Sequence, residues 1–151
     1  MRVTRRRLVL SGGAILAAGA GTPTGARAAA KPTVEVWKSK ECACCDKWAD
    51  HLRAAGFEVT MHQASDLAAI RAAHGVPEAL ASCHTAAVGG FGVEGLVPGS
   101  DIERLLAERP VIKGLAAPGM PKSAPGMDIP GHPYEVIAFG GPGGDTVFAR
   151  H

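Results

Sequence analysis

Polar and apolar side chains alternate along Thr33-Val34-Glu35-Val36-Trp37, a two-residue period that predicts a strand with one face on a core. Residues 38–41 break that period. From Cys45 onward, Trp48, Ala49 and Leu52 follow at three, four and seven residues, which predicts a helix beginning at or just before Cys45 and ending at Gly56. Residues 57–61 alternate again as a second strand. Asp66 is placed to cap a short helix that carries Leu67 and Ile70 and stops at Gly75, ahead of Pro77. Residues 85–88 and 92–97, joined through Gly89-Gly90, have the pattern of a hairpin. Ser100-Asp101-Ile102-Glu103 has the spacing of a capping box and opens a helix with Ile102, Leu105 and Leu106 facing inward. The last strands fall at 134–139 and 146–149, with the turn between them at 140–144.

Residues 114–133 have neither period and hold five of the chain's 11 prolines. A loop of that length in a compact domain is uncommon enough to direct attention to function. Together the elements predict the α/β class: a small sheet with flanking helices, best matched by a thioredoxin-like arrangement, plus a long Met/Pro/Gly loop.

Length and the N-terminus narrow this picture. A chain of 151 residues suits one domain with one core, expected here at residues 31–151. Arg5, Arg6 and Arg7, the apolar run at 8–20 and the small-residue stretch Ala26-Arg27-Ala28-Ala29-Ala30 read as an export signal over residues 1–30. Thr4-Arg5-Arg6-Arg7-Leu8 before a Gly- and Ala-rich core resembles a twin-arginine signal, with the general secretory route as the alternative. The apolar run is shorter than the roughly 20 residues a membrane span needs, so no span is expected in the mature protein. The periplasm is the expected location. Removing the signal's five arginines from the 16 basic residues leaves 11 against 14 acidic, a net charge of −3. No basic footprint remains, and nucleic-acid binding is excluded as a class.

The candidate chemistry lies in Cys42-Ala43-Cys44-Cys45. Two structural disulfides are the plain reading of four cysteines in an exported chain. Clustering argues against it, because three cysteines within four residues staple no long loop. Cys42 and Cys45 have C-x-x-C spacing at a strand-to-helix turn, where free N–H groups and the helix dipole stabilise a thiolate. That geometry serves dithiol–disulfide exchange or metal chelation equally. Cys44 favours metal, since a third thiol beside a redox pair invites scrambling but beside a metal adds a ligand. Cys83-His84 offers two more donors just before the third strand, at a turn that a thioredoxin-like fold sets opposite the first.

The loop supplies a further discriminator. Pro118-Gly119-Met120-Pro121 is echoed by Pro125-Gly126-Met127-Asp128, so Met120 and Met127 both sit on Pro-Gly turns rather than on a periodic face. Thioether and thiolate donors together select Cu(I), whereas zinc is content with Cys and His. The alternative is that both methionines fill gaps over the core. His132 is a weak candidate ligand, and His51, His62, His74 and His151 are read as solvated. Trp48 and Met61 are read as core.

From Val34 to about Phe139 the chain resembles the CopG-like family of periplasmic copper-resistance proteins. The resemblance rests on Lys38-Ser39 leading into C-x-C-C, Asp50-His51-Leu52, Gly75-Val76-Pro77, Ser82-Cys83-His84-Thr85, Glu94-Gly95 followed by Val97-Pro98, and the paired Gly-Met turns. It implies a thioredoxin-like fold that binds copper through the C-x-C-C cysteines, with redox behaviour linked to copper handling. Cys42, Cys44, Cys45 and Cys83 then inherit the sulfur roles, and His84, Met120 and Met127 are accessory ligands. Ala43 departs from the glycine common in such motifs. The expectation is a periplasmic protein that holds Cu(I) for copper resistance or handling, with other periplasmic copper proteins as partners. The alternative is a thiol–disulfide oxidoreductase, in which Cys42 attacks and Cys45 resolves, coupled to copper reduction.

Overall fold

The computed structural model describes residues 30–151, so the export signal read at residues 1–30 lies, save for Ala30, outside the described residues. Strand β1 (Val34–Lys38) alternates as expected: Val34, Val36 and Lys38 are buried, while Glu35 and Trp37 are half-exposed. Helix α1 (Ala43–Ala54) buries Cys45, Trp48, Ala49 and Leu52 on one stripe, with Asp46 in its first turn and His51 and Arg53 in its last, the charge order that its dipole favours. Strand β2 (Val59–Gln63) begins two residues later than expected, because Phe57 turns into the core ahead of it. Helix α2 (Leu67–Ala73) is capped as expected, the Asp66 carboxylate accepting from the Ala69 N–H at 3.0 Å.

A single 3-10 turn (Glu78–Leu80) leads to strands β3 (His84–Val88) and β4 (Phe91–Glu94), the expected hairpin about Gly89-Gly90. Helix α3 (Gly99–Glu108) corrects the capping-box expectation. It starts at Gly99 with Pro98 as its N-cap, and no side chain caps it. Ser100 is already inside the helix, Asp101 pairs with His151, and Glu103 pairs with Lys31.

The region expected as one loop from 114 to 133 opens instead as strand β5 (Gly114–Ala116). Three residues are too few to show a period, yet all three are buried. Leu115 joins the main core and Ala116 a second cluster with Val76 and Phe139, so consecutive side chains of β5 serve opposite faces. Gly114 is required there: a Cβ would lie 1.9 Å from the Gly92 carbonyl oxygen of the neighbouring strand. Strands β6 (Glu135–Phe139) and β7 (Thr146–Arg150) close the chain. The sheet has seven strands in the order β2-β1-β3-β4-β5-β6-β7, with β1 parallel to β2 and antiparallel to β3, and β4 parallel to β5. Among the described residues the class is thus mixed α/β, a seven-stranded sheet with three helices. No helix among the described residues is long and apolar enough to cross a membrane.

Stripes from α1 and α3 meet the sheet through Trp48, Leu52, Ile102 and Leu105 against Val34, Val36, Val88, Val93 and Leu115. The Trp48 indole also donates to the Val97 carbonyl at 2.7 Å, fixing α1 to the segment that leads into α3. A Leu52→Ala substitution, which empties fully buried volume, should lower the unfolding free energy by roughly 2–5 kcal/mol in urea titrations. Val111→Ala, at a position 82% exposed, should change it by less than about 0.5 kcal/mol in the same assay.

Candidate metal centre

Strand β1 ends at Lys38 directly opposite His84, the first residue of β3. The turn after β1 and the segment before β3 therefore meet at one end of the sheet. Cys42 is the N-cap of α1, Cys44 and Cys45 lie in its first turn, and Cys83 immediately precedes β3. All four sulfurs lie within 4.8 Å of one another, the one such group of potential metal ligands among the described residues. Sequence spacing had brought three of them together; the β1–β3 register brings the fourth.

Cys42 and Cys45 are joined in a disulfide, with Cα atoms 5.4 Å apart, while Cys44 and Cys83 are free thiols. The Cys44 sulfur lies 3.4 Å from that of Cys42 and 3.6 Å from that of Cys83. Burial, followed by the adjacent Cys44, pushes the Cys83 thiol up to about 12, so it keeps its proton at neutral pH. Cys83 also lies 3.4 Å from His84 Nδ1. Which of the two donates in this contact is set by the imidazole tautomer. Nε2 is buried without a hydrogen-bond partner, and the ring packs on Trp48 at a centroid distance of 4.3 Å. Burial lowers His84 to about 3, so the ring stays neutral.

A cation also attends the site. Lys38 is buried by its place in the β1 alternation, and its ammonium donates to the Cys42 carbonyl at 3.4 Å and to the Asp46 carboxylate at 2.9 Å. The pattern Val34, Val36, Lys38 was the sequence signal for it, since strict alternation puts Lys38 on the inward face.

The two Pro-Gly-Met turns reach the cluster from different sides. Gly126, with φ +98°, passes so close to α1 that a Cβ would lie 2.7 Å from the Cys44 carbonyl oxygen. Met127 follows it and packs, half-buried, against the main core. Met120 is 56% exposed and lines a hollow of about 270 Å³ with Ala81, Ser82, Cys83 and Gly119. Residues 121–132 are knit by their own bonds, among them Ile129 N–H to the Lys122 carbonyl and the Ser123 hydroxyl to the Ile129 carbonyl.

The histidines read as solvated have partners instead. His51 Nε2 accepts from the Gly99 N–H at 3.1 Å, His62 meets Glu35 at 2.5 Å, and His151 meets Asp101 at 2.8 Å. His74 lies against the Trp37 ring, at 5.1 Å between centroids. None of these pairings is local in sequence, so no periodicity announces them. His132 is exposed, its N–H donating to Ser123 Oγ.

A family model described as "Protein of unknown function, DUF411" matches residues 80–127, the span from Cys83 to the second Met turn. Two solved structures, titled "Copper resistance protein copG- Form 1" and "Copper resistance protein copG- Form 2", are each 38% identical to the chain. Each covers 80% of this chain and 98% of its own, with a TM-score of 0.74. No curated protein matches the chain.

The buried His84 makes apo-protein stability depend on pH. Between its ordinary value of 6.5 and about 3, the unfolded chain takes up a proton here that the folded chain refuses. Its contribution is intact above pH 6.5 and is lost as pH falls towards 3, by about 1 kcal/mol per unit. Urea unfolding of metal-free protein at pH 7 and pH 4.5 should register this loss, and His84→Phe should remove most of it. Equal pH dependence in the two proteins would contradict the assignment.

Proposed function

The chain belongs to the family of the copper resistance protein CopG, and from that premise we propose that it is a periplasmic protein holding Cu(I) through Cys42, Cys44, Cys45 and Cys83, for copper resistance or handling. The observation that carries the proposal is the convergence of four sulfurs within 4.8 Å. Thiolates are the donors that a soft monovalent ion prefers, and Cu(I) accepts the low and irregular coordination numbers that such a cluster offers. His84, Met120 and Met127 are accessory ligands: His84 adjoins the cluster through Cys83, and Met120 shares its hollow.

Binding by all four sulfurs requires reduction of the Cys42–Cys45 disulfide, a two-electron, two-proton step that a dithiol reductant supplies. Copper then displaces the thiol protons, Cys83's among them, and its positive charge replaces theirs in a part-buried site. The N-terminus of α1 adds positive potential, while the Lys38 ammonium is itself paired with Asp46, so the helix start is what offsets the anionic cluster.

The βαβ opening, with the cysteines at its first turn, supports the thioredoxin-like reading of the fold. One domain over residues 31–151, exported by a twin-arginine-like signal at residues 1–30, completes the proposal, with other periplasmic copper proteins as its partners.

The disulfide at the helix start favours a second reading, a thiol–disulfide oxidoreductase coupled to copper reduction. Oxidation of the Cys42 and Cys45 thiolates to the disulfide releases two electrons, enough to reduce two Cu(II) to two Cu(I). The two readings separate in one pair of measurements. Titration of reduced protein with Cu(I) against a competing chelator should give an affinity that collapses by 100-fold or more in Cys42→Ala/Cys45→Ala, about 3 kcal/mol. An unchanged affinity would sink the copper-holding reading. Disulfide-exchange turnover faster than free dithiothreitol supports, by contrast, would favour the enzyme.

Affinity should also rise with pH, about tenfold per unit for each proton displaced, over the range in which Cys83 remains protonated in the metal-free protein. A pH-independent affinity would mean that Cys83 is not a ligand.

A further inference from the structure

Cys83 stands outside the sheet's ladder. Register pairing of β3 begins at His84 with Lys38 and at Thr85 with Glu94, so the backbone at Ser82 and Cys83 lies beyond the ladder, with an isolated bridge from Ser82 to Gly119 on one side. On the other side a buried ion pair holds it. Glu94, fully buried on β4, accepts from the Ser82 N–H at 2.6 Å and from Arg71 Nε at 3.0 Å through one carboxylate oxygen. Its other oxygen accepts from Thr85 Oγ1 at 2.6 Å. Arg71, on α2, turns a second guanidinium nitrogen to the Ser82 carbonyl at 2.8 Å. The N–H and C=O of Ser82 are thus both taken by one charged pair, and the peptide bond that joins Ser82 to Cys83 is fixed in orientation.

We propose that Glu94 and Arg71 are positioning residues that hold the Cys83 sulfur against the Cys42-Ala43-Cys44-Cys45 turn, so that four donors remain convergent when the Cys42–Cys45 disulfide opens. This rests on the copper-holding reading above. Charge chemistry says why the pair is kept for position. Burying a carboxylate and a guanidinium costs much of what their attraction returns, and apolar replacement of such a pair is commonly neutral for stability. What apolar residues cannot supply is directional bonding to both peptide groups that flank Ser82. Without it, the three sulfurs on α1 keep their places through the helix while the fourth is free to swing with its loop.

The test uses the reduced, metal-free chain and its variants Glu94→Gln, Thr85→Val and the apolar pair Arg71→Leu/Glu94→Leu. Timed alkylation with N-ethylmaleimide, read at each thiol by mass spectrometry, should show Cys83 reacting several-fold faster relative to Cys44 in Glu94→Gln and in the apolar pair. Cu(I) affinity should fall by about 10–100-fold, as when an outer partner of a metal ligand is removed. Thr85→Val, which spares both bonds to Ser82, should do neither. The apolar pair keeps the test decisive if Glu94→Gln unfolds, since near-UV circular dichroism and the unfolding midpoint report its fold separately. Proportional acceleration at Cys44 and Cys83, or wild-type Cu(I) affinity in a folded apolar pair, would overturn the proposal. If the wild type itself fails to bind Cu(I), the copper reading falls, and the alkylation ratio alone still judges the clamp.

Discussion

The register of β1 against β3 sets Lys38 opposite His84, and the chemistry at this end of the sheet depends on that pairing. A helix that starts just past β1 delivers three cysteines on one turn, but a turn alone offers a flat, open set of donors. The fourth sulfur arrives because β3 begins beside the point where β1 ends. Slipping an antiparallel pair by one residue would turn every side chain to the other face. That slip is resisted by Val34, Val36, Ala86 and Val88, which the register keeps together in the main core. Apolar burial along the strands therefore fixes the geometry of polar groups at their ends.

Gathering sulfurs in this way has an electrostatic cost, which is limited at three of the four. Two are tied up as a disulfide, and Cys83 holds its proton because burial and the neighbouring Cys44 both penalise its thiolate. Lys38 meets this turn at the Cys42 carbonyl and the Asp46 carboxylate rather than at a sulfur, so the ion pair braces the turn without engaging a thiol. His84 stays neutral beside Cys83, with Nδ1 in hydrogen-bond contact with its sulfur.

Periodicity made most of this architecture legible. The alternation of β1, the stripe of α1, the Asp66 cap and the Gly89-Gly90 hairpin are all local patterns, and each appears within two or three residues of its expected place. What stayed hidden is non-local. Strand β5 is recognisable only through its neighbours β4 and β6, and Ser100-Asp101-Ile102-Glu103 failed as a capping box because Asp101 and Glu103 are claimed by His151 and Lys31. Clustered cysteines announced the site from sequence alone. Its supports did not, since Glu94 looks like any acidic residue at a strand end until the fold encloses it between Arg71, Ser82 and Thr85.

The paired Pro-Gly-Met turns show how a sequence echo can conceal a division of labour. Gly126 touches the Cys44 carbonyl and Met127 is half-buried, so this copy packs against the start of α1. Gly119 is tied to the Cys83 arm by its bridge to Ser82, and Met120 stands largely in solvent beside Cys83. One motif thus packs on the backbone of the first turn of α1, while the other leaves a thioether lining the hollow that Cys83 also lines. A half-buried thioether and an exposed one differ in freedom: the first has a fixed surround, the second has rotamers to spare. The two methionines that looked equivalent in sequence are distinguished by what their glycines touch.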